Sequence, residues 1–262
     1  MKHVVRVIGK LILDLLALFP QRGLFMADRL VKQAMGKGWD SGLANEVKVI
    51  ARVIRNFDLE DTTTIDAGAN VGLWSLAISD NFPKMQISAF EPSLLTFKEL
   101  QEKVKSMENI QVHNFGLGSK NSESLLYSDE NLSGMASLTK RKLEYRGIDF
   151  ENSEKVQIRT LDSWIKETGC KATILKIDVE GHELDVLKGA INSISQFKII
   201  QFEFGGTDID TRVFFRDFWD YFLGTNFSIF CLTPKGLVKV IEYSEHHEVF
   251  SFTTYYAIQS SE

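Results

Sequence analysis

The run TTTIDAGANVGLWSLAI, residues 62–78, is the part of the chain that most constrains its fold. β-Branched residues lead to Asp66, Gly68 and Gly72 follow, and an amphipathic helix is predicted from about Leu73. A strand, a glycine turn and a helix in this order are typical of the first unit of a nucleotide-handling α/β fold. Gly68 permits a tight turn and the close approach of a ligand where a Cβ would clash.

Two acids at predicted strand ends indicate the kind of ligand. The Asp66 carboxylate suits a cationic or hydroxyl group better than a phosphate, because a pyrophosphate loop exposes amides and avoids an acid. Glu91 lies 25 residues after Asp66, near the spacing at which a second-strand carboxylate binds ribose hydroxyls. These acids favour S-adenosylmethionine over NAD or ATP. The alternative is that both are ordinary turn residues.

Alternating strand and helix patterns extend over most of the chain. We predict strands at 63–66, 86–90, 110–114, 172–179 and 197–204, with helices at 73–79, 93–104, 183–195 and 213–223. This order predicts an α/β fold with a parallel sheet and helices on both faces. A hairpin within 227–243 and a strand at 252–259 predict antiparallel strands at one edge. The insertion at 118–157 is either a substrate lid or a solvated excursion.

Length, charge and cysteine usage narrow the class of protein. The 262 residues favour one Rossmann-like domain at 57–262 with an N-terminal helical extension at 1–56. A net charge of −5, without a stripe of Lys and Arg, argues against nucleic-acid binding. Cys170 and Cys231 form neither a metal-spaced pair nor a disulfide framework, which favours a reducing, cytoplasmic location.

The N-terminal segment is basic and then apolar. Charged residues interrupt its apolar run and no small-residue cleavage site follows, which argues against a signal peptide. An amphipathic helix that packs on the domain or on a partner is favoured, and an oligomer is possible. Contact with a membrane surface is the alternative. The apolar positions on one helical face are Val4, Ile8, Leu11, Leu15 and Leu18.

A second constellation lies in LKIDVEGHELDVLKGA, residues 175–190. Its titratable residues Lys176, Asp178, Glu180, His182 and Glu183 would be costly to bury at a strand end without a function. Acids at a helix N-terminus are the alternative, but they do not account for Lys176 or His182. We predict that His182 is a general base, because histidine accepts protons near neutral pH.

Glu203 ends the next predicted strand, beside Asp178. Either carboxylate is predicted to orient His182 or the substrate. Together they could hold a divalent ion with a third oxygen ligand, but no third ligand is visible in the sequence, so no metal is predicted. The acid- and histidine-rich segment 242–248 is interpreted as a solvated turn.

The chain resembles the FkbM family of S-adenosylmethionine-dependent methyltransferases. The motifs that carry the resemblance span about 62–204 in the family's order: DAGANVGLWS, SAFEPSLLTFKEL, NLSGMASL, IRTLDSW and LKIDVEGHELDVLKGA. The resemblance implies a class I methyltransferase fold with a seven-stranded, mostly parallel sheet. It also implies O-methyl transfer to a hydroxyl of a sugar, glycan or natural product.

The resemblance further implies which residues surround the cofactor: Asp66, Gly68, Asn70, Gly72, Glu91, Pro92, Phe115, Gly116 and Asp178. Gly116 departs from the family's more frequent alanine. The SGMAS segment at 133–137 would close over the site. Two alternatives stay open: a non-catalytic protein that binds the cofactor or a partner, and a nicotinamide-dependent oxidoreductase, which the glycine spacing disfavours.

Overall fold

The computed structural model describes residue 10 and residues 13–39 and 42–260. Most of the predicted N-terminal amphipathic helix lies outside this range. The described α-helices are α1 (Gln21–Ala34), α2 (Leu43–Asn56), α3 (Leu73–Asn81), α4 (Leu94–Val104), α5 (Leu161–Thr168), α6 (Glu183–Lys188), α7 (Thr207–Thr211) and α8 (Phe215–Phe222). The strands are β1 (Thr63–Ala67), β2 (Gln86–Phe90), β3 (Ile110–His113), β4 (Gly116–Leu117), β5 (Ser122–Ser128), β6 (Asn152–Arg159), β7 (Ala172–Ile177), β8 (Ile199–Phe204), β9 (Phe227–Thr233), β10 (Gly236–Lys239) and β11 (Thr253–Gln259).

The main sheet confirms the predicted Rossmann-like α/β architecture. Its strand order is β10-β9-β11-β8-β7-β1-β2-β3, and the five strands from β8 to β3 pair in parallel. β11 pairs antiparallel with β8 and β9, as the closing strands predict. The short β10 is an eighth strand that extends the mostly parallel sheet at its edge.

Apolar layers cover both faces of this sheet. In β7, Ile174 belongs to one buried cluster and its neighbour Leu175 to the other, because successive side chains of a strand point to opposite faces. Such burial on both faces is typical of parallel sheets. α2 contributes Ile50 and Ile54 to one layer, whereas none of the residues of α1 is buried. The division of the chain at residue 56 stays a prediction.

Two expectations are corrected by the fold. The helix predicted over 183–195 ends at Lys188, where Gly189 packs so closely that a Cβ would lie 2.0 Å from the carbonyl oxygen of Gly118. The insertion at 118–157 is not a plain excursion, since β5 and β6 pair within it and form a second sheet with β4. None of the described helices is long and apolar enough to span a bilayer.

Candidate active site

A cleft lies at the carboxyl ends of β1, β2 and β7 and is covered by the insertion. It encloses about 660 Å³ of space, part of which is open to solvent. Ligand sites of open α/β sheets lie at this edge of the sheet. The residues that line it include seven of the predicted site residues, namely Gly68, Asn70, Glu91, Pro92, Gly116, Asp178 and His182.

The loop after β1 has the backbone conformation that its sequence indicates. Gly68 has a φ of +76°, and a Cβ there would lie 1.8 Å from the carbonyl oxygen of Asp178. Only glycine therefore allows β1 and β7 to approach at this point. Asn70 has a φ of 47°, a left-handed conformation that asparagine tolerates better than most residues. The loop thus turns its backbone toward the cleft.

Glu91 is held in place by the same loop. Its carboxylate accepts hydrogen bonds from the backbone N–H groups of Asn70 at 3.0 Å and Ser93 at 2.9 Å. Burial raises the pKa of Glu91 to about 7, although both hydrogen bonds lower it. Each carboxylate oxygen keeps acceptor capacity beyond these bonds. Glu91 is therefore an oriented acceptor for hydroxyl groups at the cleft wall.

Asp66 does not reach the cleft. It is completely buried, accepts a hydrogen bond from Ser75 Oγ at 2.7 Å and pairs with Lys176 Nζ at 2.9 Å. Lys176 Nζ also lies 3.4 Å from Asp178 and donates to the Gly68 carbonyl at 3.1 Å. The cationic partner of Asp66 is Lys176, and a role of Asp66 at the cofactor stays a prediction. Through the hydrogen bond from Lys176 to the Gly68 carbonyl, the buried pair stabilises the glycine loop.

Three further predicted residues lie outside the cleft lining. Gly72 begins α3, and a Cβ there would lie 2.5 Å from Leu100 Cδ1, so its role is close helix packing. Phe115 packs edge-on against Phe90, with the ring centroids 5.2 Å apart. Glu203 lines a different cavity. Gly72 and Phe115 therefore have packing contacts, and their predicted place beside the cofactor stays a prediction.

In the loop between β7 and α6, the predicted titratable residues fall into two groups. Asp178, Glu180 and His182 line the cleft. Glu183 instead accepts hydrogen bonds from the backbone N–H groups of Val179 at 2.9 Å and Gly181 at 3.0 Å. The buried Glu183 therefore closes the turn that presents the other three side chains.

His182 has a partner on each ring nitrogen. Nδ1 lies 2.9 Å from the carboxylate of Asp185, which can only accept, and Nε2 forms a hydrogen bond of 3.0 Å with Thr139 Oγ1. The hydrogen bond from His182 lowers the pKa of Asp185. The prediction that Asp178 or Glu203 orients His182 is corrected, because Asp185 does so. The three-residue spacing of His182 and Asp185 at a helix start could have indicated this pair.

The insertion supplies the outer wall of the cleft. Ser133, Gly134 and Ala136 of the SGMAS segment line it, and Ser137 Oγ donates to the backbone carbonyl of Glu180 at 2.7 Å. The small sheet contributes the apolar side chains of Leu126 and Ile158. One wall is therefore apolar and the opposite wall carries acids.

Sequence reasoning missed Arg141, a buried side chain from the insertion. Its guanidinium lies 3.4 Å from Glu180 and 3.6 Å from Asp210. Burial and the nearby Asp178 raise the pKa of Glu180 to about 8, while Arg141 lowers it. Within the charged run at 140–146, the sequence carries no signal that one arginine is buried.

Within the described ranges, no group of three or more His, Cys, Asp or Glu side chains is arranged to hold a metal ion. Residues 245–247 form a short 3₁₀ turn in the segment interpreted as solvated. Cys170 and Cys231 are both free thiols.

The fold and the cleft define an α/β protein with a nucleotide-type site at the carboxyl edge of its parallel strands. The sequence pattern of the methyltransferase FkbM domain matches residues 66–229, more than half of the chain. The chain belongs to this family.

Three relatives lie at low identity. Methyltransferase 1 of Beauveria bassiana is 27% identical over 146 residues, which cover 50% of this chain and 59% of that protein. The 2-O-methyltransferase NoeI of Sinorhizobium fredii is 22% identical over 175 residues, 63% of this chain and 72% of that protein. The hexuronic acid methyltransferase AglP of Haloferax volcanii is 28% identical over 179 residues, which cover 66% of this chain and 69% of that protein. The chain thus matches about three fifths of the Beauveria protein's length.

Proposed function

We propose that this protein is an S-adenosylmethionine-dependent O-methyltransferase that acts on a hydroxyl of a sugar, glycan or natural product. One observation carries the proposal: a single cleft is lined by the oriented acceptor Glu91, the carboxylate of Asp178 and His182, whose Nδ1 is bonded to Asp185. Family membership and the relatives named as a 2-O-methyltransferase and a hexuronic acid methyltransferase support the reaction class. The free cysteines support a cytoplasmic location.

The residues of the cleft fit S-adenosylmethionine. Glu91 has acceptor capacity for two ribose hydroxyls, and the apolar wall formed by Leu126, Leu138 and Ile158 suits a planar base. The Asp178 side chain is 35% exposed, so its negative charge is available to the ammonium or sulfonium group of a ligand. When bound, the cofactor supplies a methyl group that is already activated on sulfur. The protein then has to align the acceptor and remove its proton.

His182 is the proposed general base. In the tautomer that carries its proton on Nδ1, toward the Asp185 carboxylate, Nε2 is the acceptor nitrogen that a general base needs. An acceptor hydroxyl that replaces Thr139 Oγ1 at Nε2 could transfer its proton there, which would make its oxygen nucleophilic toward the methyl group that the bound cofactor would supply, with the thioether as leaving group. Asp185 then stabilises the imidazolium. General-base catalysis of this type contributes about 10²–10⁴-fold.

The experiment is a methyl-transfer assay with labelled cofactor and a panel of sugar and natural-product hydroxyl acceptors. We expect His182→Ala to lower the rate about 10²–10⁴-fold and to leave cofactor affinity, measured by calorimetry, unchanged. His246→Ala is the matched control, because His246 is exposed on the distant 3₁₀ turn. A wild-type rate in His182→Ala would refute the assignment of the base.

Two other outcomes would identify other functions. A protein that binds the cofactor tightly and transfers no methyl group to any acceptor would be a non-catalytic binding protein. Loss of activity in EDTA, with Asp178→Asn costing more than His182→Ala, would favour a metal-assisted reaction.

A further inference from the structure

A second cavity adjoins the cleft on the side of β8. It encloses about 960 Å³ of space, partly open to solvent, between the ends of β7 and β8, the insertion and the segment before β11. Glu180 lines both the cleft and this cavity, so its side chain lies at the boundary between the two spaces. A molecule in the second cavity would therefore lie next to the cleft.

Glu203 is the polar group on the floor of this cavity. It belongs to β8, and within the described part of the chain no hydrogen bond or ion pair reaches its carboxyl group. Burial, with the nearby Asp178 second, raises the pKa of Glu203 well above its usual value. The raised pKa favours the protonated form, in which a carboxyl group can both donate and accept a hydrogen bond. A partly buried acid without a protein partner is costly and needs an explanation.

The buried arginine of the cavity, unlike Glu203, lies next to charged groups of the protein. Arg141, whose side chain is 9% exposed, already lies against the carboxylates of Glu180 and Asp210. Arg146 is exposed at the rim. Arg141 is the buried cation of the described lining, whereas the acids Glu180 and Glu203 both line the same space, so the cavity disfavours an anionic ligand.

Aromatic side chains form the side of the cavity near its opening. Phe250 is fixed by the buried Phe204, with ring centroids 5.3 Å apart, and Phe252 is 40% exposed. Tyr145 of the insertion is 81% exposed beside the same space. An apolar face opposite a polar floor matches the C–H face and the hydroxyl edge of a sugar ring.

We propose that this second cavity is the acceptor site and that it takes an uncharged, polyhydroxylated sugar ring. Glu203 binds one hydroxyl at the floor, the aromatic side packs against the ring, and Glu180 orients the neighbouring hydroxyl at the junction with the cleft. The proposal rests on the proposed methyl transfer and specifies its substrate class and entry side. A planar phenol would leave the carboxyl group of Glu203 without a partner, and an anionic sugar would lie against the acids Glu180 and Glu203.

The test uses the full-length protein and three probes: the methyl glycosides of glucose, fucose and glucuronic acid, titrated by ligand-observed NMR. We expect the neutral glycosides to bind better than the glucuronide. Glu203→Leu, which keeps the volume but removes the polar group, should raise the Kd at least about tenfold. Glu203→Gln should stay within about threefold of wild type, because an amide reproduces the donor and acceptor of a neutral acid.

A stability measurement separates binding from a structural role. If Glu203 is kept for a ligand, Glu203→Leu should raise the thermal midpoint by about 2–4 °C while it weakens the glycosides. Glu108→Leu is the control, since Glu108 is exposed and precedes β3 at the opposite edge of the sheet. It should leave glycoside affinity unchanged.

Three results would overturn the proposal: no glycoside binds the wild type, the glucuronide binds best, or Glu203→Leu binds neutral glycosides as the wild type does. The same samples are titrated with S-adenosylmethionine by calorimetry. Cofactor binding without glycoside binding would refute the acceptor site alone, whereas absence of cofactor binding would refute the proposed function.

Discussion

Lys176→Met is the substitution for which the structure predicts the largest loss of stability. The Lys176 side chain is 7% exposed, and its Nζ joins Asp66, Asp178 and the Gly68 carbonyl. Methionine retains most of the packing volume but removes the charge. The fully buried Asp66 carboxylate is then left with one hydrogen bond, from Ser75.

The size of the effect follows from this burial. Removal of one partner of a buried ion pair typically costs about 3–5 kcal/mol, because the other charge stays buried and uncompensated. Whole domains are stable by about 5–15 kcal/mol, so such a loss is easily measured. Asp178, at 35% exposure, keeps contact with solvent and adds little to the cost. We therefore assign most of the loss to Asp66.

Urea denaturation of the single variants and the double variant tests this reasoning. Asp66→Asn combined with Lys176→Met leaves no buried charge unpaired, so it should be about 1–3 kcal/mol more stable than the sum of the single losses predicts. The exposed pair Lys84–Asp61, at 3.4 Å with side chains 79% and 66% exposed, is the control. Lys84→Met should cost less than about 1 kcal/mol.

The pH dependence adds a second check. Burial lowers the pKa of Lys176, but Asp66 and Asp178 outweigh it and hold this pKa above the ordinary lysine value. A raised lysine pKa contributes stability that is fully present below the unfolded value of about 10.4 and is lost only above it. The loss in Lys176→Met should therefore be the same at pH 6 and pH 9. A Lys176→Met variant as stable as Lys84→Met would refute the buried ion-pair interpretation.

The other predictions concern the cofactor and the N-terminus. Glu91→Ala should weaken S-adenosylmethionine binding about tenfold or more in calorimetry, since a charge-assisted contact is worth about 1.5–3 kcal/mol; unchanged affinity in a folded variant would refute the contact. With the pKa of Glu91 at about 7, ionisation should make binding about tenfold tighter at pH 8 than at pH 6, and Glu91→Gln should abolish that dependence. Full-length protein and a deletion of residues 1–22 should both stay soluble without detergent; recovery of the full-length protein only with membranes would contradict this.

The pattern of neighbouring residues along the chain was sufficient to predict which loops and strand ends form the cleft. The glycine loop and the strand that ends before Glu91 lie where alternating β and α units predict them, and the segment SGMAS lies at the cleft as the family resemblance implies. This succeeds because strand and helix periodicities are properties of neighbouring residues, and because parallel strands bring their carboxyl ends to one edge. His182 was found in the same way, from ionisable residues at a strand end.

The sequence by itself therefore determined the order of strands and helices, the glycine positions and the family. Tertiary structure decided which acids face a ligand. Asp66 and Lys176 lie 110 residues apart, and only the parallel register of β1 and β7 makes them direct neighbours. Arg141 meets Glu180 only because the insertion folds back over the strand ends, and Glu203 opens into a second cavity for the same reason. Charge pairing depends on distance in space, and a pattern along one chain does not contain that distance.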